Sequence, residues 1–198
     1  MILSNAEIFK ALEKGHIVIT PSPKAPSIDN TEDTVFDSTA LDLRLGNEIR
    51  IPYQSETPPM AFDLSKGNIA LLLNRIYDKH TIDEKTGFPL EPSQFALAST
   101  LEKIHLPIQK EGPCYAARVE GKSSYARCGL IVHFTAPTIH AGFKGIITLE
   151  LMNLGPCPIT LRTGLPICQI IFEQVQGEVI FSPSQFQDQA TPSGLKFS

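Results

Sequence analysis

Sixteen prolines punctuate a chain of 198 residues, dispersed along its length rather than gathered in one tract, and thirteen glycines are scattered among them. A proline fixes φ and has no amide donor, so it breaks helix interiors and is confined to strand ends, sheet edges and turns. A chain interrupted this often folds into short strands joined by turns. That points to an all-β sandwich or barrel. The strand-like segments are Ile17–Ile19, Ala40–Ile51, Phe95–Leu106, Leu130–Phe134, Gly145–Met152 and Leu165–Val175, rich in branched residues and bounded by Pro, Gly, Asn and Asp. One helix is expected at the start. Ser4-Asn5-Ala6-Glu7 reads as a capping box, Ile8, Phe9 and Leu12 supply an apolar face, and Gly15 is a stop. A second short helix fits Gly67–Tyr77, where Ile69, Leu72, Leu73 and Ile76 form a stripe.

With 42% hydrophobic and 19% charged residues, the chain can bury a core, and it shows no repeat or composition shift. A single domain over residues 1–198 is therefore expected. The net charge of -4 argues against a general nucleic-acid binder, which needs a basic surface to displace counterions. A polyanionic ligand would instead need a local basic cluster, helped by a divalent cation. The N-terminus lacks a basic start, apolar stretch and small-residue cleavage site, and no apolar run approaches a membrane span. Cys114, Cys128, Cys157 and Cys168 form no C-x-x-C and read as reduced, buried thiols of a cytoplasmic protein.

Four segments form constellations rather than plain core. In Ser38–Gly46 the leucines at 41, 43 and 45 share one face and Asp42 and Arg44 the other, which fits a solvated face or a ligand-facing one. Gly121-Lys122-Ser123-Ser124-Tyr125-Ala126-Arg127 combines close backbone approach, cations and hydroxyls, a kit suited to phosphate. It is not a Walker A loop, because Ala116 stands where that loop needs glycine. In Ile139–Gly155 strand parity sends Ile147, Leu149 and Leu151 to the core and Thr148 and Glu150 the other way, leaving Glu150 either a surface residue or a base lining a pocket. Thr163–Glu173 is a turn feeding an apolar strand.

Taken in this order, the blocks resemble the deoxyuridine triphosphatase superfamily, and within it the dCTP deaminase branch. Ile2-Leu3-Ser4 with its capped helix, Phe95–Glu102, Arg127–His133 and the strand ending in Phe172-Glu173 carry the likeness. The resemblance implies a distorted jelly-roll β-barrel, a homotrimer with sites between subunits, and a deoxynucleoside triphosphate bound with Mg²⁺. Two positions separate the branches. The triphosphatases have an aspartate where His140 stands and an apolar residue where the deaminases, like this chain, have Glu150. The expected reaction is hydrolytic deamination of dCTP to dUTP and ammonia, with Glu150 as general base. A zinc site of the H-x-E and C-x-x-C kind is missing, since none of the five His is followed two places on by Glu. The resemblance gives Ser123 and the backbone at Ala136 to the water, and Arg127 of a neighbouring subunit to the support of Glu150. It gives Lys122 and Ser124 to the phosphates, the backbone from Thr148 through Leu149 to Glu150 to the base, and Phe143 to the deoxyribose. His140 and Gln185 fall at further substrate positions, and residues 184–198 resemble a lid through which Gln189 contacts the nucleotide.

The chain departs from the family at several points. Lys122 replaces an arginine and loses its bidentate fork. Gln185 replaces a lysine expected on the triphosphate, His140 a carboxylate expected on the 3′-hydroxyl, and Pro137 and Thr138 polar or basic residues. Two other readings therefore stand beside deamination: dUTP hydrolysis, alone or as a second activity, and a catalytically degenerate nucleotide-binding homologue.

Overall fold

The computed structural model describes residues 1–26, 34–53, 69–182, 184 and 186–195. In chain order its elements are α1 (Asn5–Glu13), β1 (Val18–Thr20), β2 (Leu41–Arg44), β3 (Glu48–Pro52), α2 (Ile69–Ile76), β4 (Tyr77–Thr81), β5 (Phe88–Leu90) and β6 (Phe95–His105). There follow β7 (Cys114–Gly121), α3 (Ser123–Ala126), β8 (Leu130–Ile131), β9 (Thr138–Ile139), β10 (Lys144–Asn153), β11 (Ile159–Leu161) and β12 (Pro166–Val175). The chain is mostly β, as its proline punctuation requires. One sheet runs β4-β3-β6-β10-β8, with β1 also on β6; another runs β2-β12-β7-β9, and β11 pairs with β5. The arrangement is jelly-roll-like, and the sheets meet without closing into one continuous barrel.

Alternation builds the core. Along β10 every second residue from Gly145 to Asn153 is buried, and β2 and β12 contribute Leu41, Leu43, Ile167, Ile170 and Phe172 from the facing sheet. Ile8 and Ala11 of α1 close one end of the same core. At roughly 25 cal/mol per Å² of apolar surface removed from water, this burial is the main stabilising term.

The structure revises several local expectations. Ala40–Ile51 is two strands rather than one, because the chain crosses between sheets at Gly46, whose amide donates to Ser99 O at 2.8 Å. A Cβ there would lie 3.1 Å from that carbonyl, a tight approach that would force the neighbouring backbone to give by a few tenths of an ångström. Leu130–Phe134 pairs only as far as Ile131. β7, another long core strand, lies outside the expected segments. Only half of the capping box forms: Glu7 N–H donates to Ser4 Oγ at 3.3 Å, but the Glu7 carboxylate turns to Lys10 Nζ at 2.7 Å. The cysteines are free, yet only Cys114 and Cys168 are buried; Cys128 and Cys157 are exposed, being set in the turns beside β8 and β10.

Candidate active site

β8 and β10 pair through Ile131↔Met152 and Leu130↔Asn153, and then the two chains part. β10 runs on alone along that edge. The backbone bonds show which way its groups point. Asn153 N–H donates to Gln94 O on the β6 side, while Leu154 N–H donates to Gly129 O on the β8 side. Alternation in an antiparallel ladder then turns the odd positions toward β6 and the even ones, Thr148 and Glu150, toward the open edge. Ile146 obeys the same rule, its amide reaching Gln189 O at 3.2 Å. The side chains of Thr148 and Glu150 also share the face away from the core.

This edge borders a cavity of about 890 Å³. Glu150, Ala136, His140, Phe143, Thr148 and Gln189 all line it, so six residues singled out from the sequence are brought together here. Glu150 is half-buried, and burial pushes its carboxyl above the ordinary carboxylate range. The Phe134 amide, 3.4 Å from Oε2, the neighbouring charge of His133 and the residue's own amide pull the other way. A carboxyl raised in this way takes a proton more readily than an exposed one, as a group that must accept and return protons requires. Phe143 is half-buried against the core, in a turn where its amide donates to His140 O at 3.1 Å. Gln189 is buried, and its Nε2 donates to Ile146 O at 2.7 Å. The segment around it lies over the cavity: Thr148 Oγ1 donates to Pro192 O at 3.3 Å, and Gln187 Nε2 to Gly142 O at 3.0 Å. Leu149 belongs to the core, and its backbone pairs with Ala98. Gln185 lies outside the described residues.

The phosphate kit lies elsewhere on the same chain. Lys122, Ser123, Ser124 and Arg127 are not among the residues that line the Glu150 cavity. Ser123 opens the one-turn α3, and Ser124 and Arg127 are exposed alongside it. Lys122 Nζ is paired with Asp42 Oδ2 at 2.5 Å, and Asp42 Oδ1 is buried without a partner. Among the described residues no Lys or Arg lines the cavity, so one protomer offers a fixed carboxylate and no fixed cation there.

A family model described as dCTP deaminase-like matches residues 2–175, nearly the whole chain. The chain belongs to the dCTP deaminase-like family. Among curated relatives, the dCTP deaminase of Shewanella amazonensis is 38% identical over 182 residues, covering 90% of this chain and 86% of that protein. A dCTP deaminase, dUMP-forming, of Methanosphaera stadtmanae is 36% identical over 172 residues, covering 87% and 78%. In fold the chain is similar to the crystal structure of 2'-deoxycytidine 5'-triphosphate deaminase from Agrobacterium tumefaciens, with a TM-score of 0.60 at 22% identity. That likeness covers 88% of this chain, which spans about half (48%) of the Agrobacterium chain.

Among the described residues no group of three or more His, Cys, Asp or Glu is placed to hold a metal ion, and no helix is long and apolar enough to cross a membrane. Several cavity residues were not singled out from the sequence for a role: His133, Leu73 of α2, Phe181, Phe186 and Ser193. His133 ends the Arg127–His133 block that carries the family likeness, but its place opposite Glu150 comes from the β8–β10 pairing, which no local pattern records. The others reach the cavity through long-range packing, likewise unmarked in the sequence.

Proposed function

We propose that the chain deaminates dCTP hydrolytically to dUTP and ammonia in the cytoplasm, with Glu150 as the general base. The observation that carries this reading is a half-buried carboxyl held high by burial, at an open strand edge in a cavity roomy enough for a nucleotide. The names of the relatives point to the same substrate. The open amide of Thr148 and the open carbonyls of Thr148 and Glu150 offer a donor and acceptors to the O2–N3 edge of a pyrimidine, and Phe143 gives the deoxyribose an apolar surface. Glu150 takes a proton from water as its oxygen attacks C4 and delivers that proton to ring N3. It then takes the proton of the new C4 hydroxyl and passes it to the amino group. The C4–N bond breaks, ammonia leaves, and the carbonyl of uracil remains. Dispensing with zinc rests on the sequence, which has no H-x-E or C-x-x-C pair.

A triphosphate needs several cations, and the cavity wall of one protomer has no Lys or Arg among its described residues. In our reading a neighbouring subunit of a homotrimer brings Lys122, Ser123, Ser124 and Arg127 to the cavity. Lys122 and Ser124 then meet the phosphates, Ser123 and the Ala136 backbone hold the water, and Arg127 stabilises ionised Glu150. Mg²⁺ reaches the site as part of the substrate, chelated by the triphosphate, and no residue of this chain is assigned to it. Release of pyrophosphate to give dUMP is a second reading, favoured by the dUMP-forming relative. Ammonia and pyrophosphate assayed separately on dCTP, CTP, dCMP and dUTP, with and without Mg²⁺, decide between them. Ammonia from dCTP without pyrophosphate supports deamination alone, both products support the second reading, and no ammonia from any cytosine nucleotide removes deamination.

A further inference from the structure

We infer that His133 is the positioning partner of Glu150, an imidazole set across the parted strands from the carboxylate to hold it ionised and aimed into the cavity. The inference rests on the deamination reading for its chemistry and on the β8–β10 register for its geometry. Ile131 faces Met152 and Leu130 faces Asn153. Continued by two residues, the same register sets His133 opposite Glu150. Burial follows the continuation: Leu130 and Val132 are buried with Asn153 and Leu151, while Ile131 and His133 are half-buried on the face of Met152 and Glu150. Side chains opposed across neighbouring antiparallel strands share a face, and opposite charges placed so attract even without direct contact. Although regular pairing ends at Ile131, the crossing is still tied to the carboxylate, because the next amide, that of Phe134, points at Glu150 Oε2.

His133 also lines the cavity itself. Its Nδ1 is buried and has no hydrogen-bond partner, so no protein acceptor or donor fixes the ring from behind. The ring's other edge is therefore the one available to the carboxylate and to whatever occupies the cavity. Its charge lowers the Glu150 carboxyl against the upward push of burial, as a cation beside an acid must. Among the described residues lining the cavity, the remaining titratable group is His140, in the turn before β10. The groups facing the pair from α2, β6 and the C-terminal segment, Leu73, Leu97, Gln187 and Gln189, do not titrate. A carboxyl that must accept two protons in succession gains from a neighbour that favours its ionised form between them.

The test is His133→Gln, with His133→Asn as a second variant should the first fail to fold. The expected result is a fall in kcat of about tenfold or more with KM nearly unchanged, and an acid limb of the pH–rate profile moved to higher pH. A wild-type profile, or a loss of kcat with the acid limb unmoved, overturns the inference. A second measurement is independent of turnover: titration of ¹³C-labelled glutamate carboxyls, with Glu150 identified by the signal lost in Glu150→Gln. Glu150 is expected to titrate at higher pH in His133→Gln than in the wild type, and coincident titrations overturn the pairing. If the wild type releases no ammonia while that shift is present, deamination fails as the reading and the pairing stands.

Discussion

Glu150 reaches the cavity through nothing more than strand parity, sharing its face with Thr148 while Leu149 and Leu151 hold the core. That much was legible in the sequence, since alternating leucines around a lone acid leave it one direction to point. What sequence could not supply is the second half of its environment: the Phe134 amide and the His133 ring arrive from the segment that follows β8. Three outcomes follow for Glu150. Replacing it by glutamine should cut turnover by about 10³-fold or more, while dCTP still binds in equilibrium dialysis. The same variant should be more thermally stable than the wild type near pH 7 and no more stable near pH 4, measured by thermal unfolding. The sign follows from the raised carboxyl. The folded state holds the proton more tightly than the unfolded one, so the cost of burying the charge is absent below the unfolded value and complete above the folded one. Activity moves the opposite way with pH. The base works only when ionised, so kcat/KM should fall on acidification at a pH above the ordinary carboxylate range, and an acid limb at or below that range would take Glu150 out of the base role.

The divergence of β8 from β10 is what makes a site out of a sheet, and it is an element-scale event. Two glycines hold the stem of the β8–β10 pair, where pairing begins. Gly129 has φ +92°, and a Cβ on it would run into the backbone of Gly155; one on Gly155 would run into the Cys128 carbonyl. Gly129→Ala should therefore lower stability by about 2 kcal/mol or more in urea unfolding, from left-handed strain and the clash together. It should also lose activity at temperatures where it remains folded, because the stem that sets His133 and Phe134 against Glu150 joins α3 as well. Normal activity in a destabilised variant would separate the stem from the site. The sequence announced most of this scale. The strands around 95–105, 144–153 and 166–175 and the first helix stand where branched residues and caps point. It missed where pairing stops. Ile131 to Phe134 is apolar enough to continue as strand, and only the partner's course shows that it does not. β7 escaped for the opposite reason: Arg118 and Glu120 make it read as polar, though Tyr115, Ala117 and Val119 alternate inward.

At the scale of the whole molecule, the carboxylate and the cations occupy different surfaces of one chain. Glu150 lies in a cavity with no Lys or Arg among its described lining, while Lys122 is paired with Asp42 and Arg127 is exposed beside α3. A chain that kept both sets for separate purposes would be complete alone; one that shares them needs copies arranged head to tail around an axis. Co-expression of Arg127→Ala with Glu150→Gln distinguishes the two. Each variant alone is expected to be nearly inactive. In a mixed ring, a site works where an Arg127→Ala subunit presents its intact Glu150 to a Glu150→Gln neighbour carrying its intact Arg127. With equal and random mixing that is about one site in four, so the mixture should recover roughly a quarter of wild-type turnover, whichever way round the ring is built. Recovery at that level would place the two residues in one site contributed by two chains. A mixture no better than its parents would mean that Arg127 never meets its neighbour's Glu150, and the cations of the Gly121–Arg127 turn would then need another purpose.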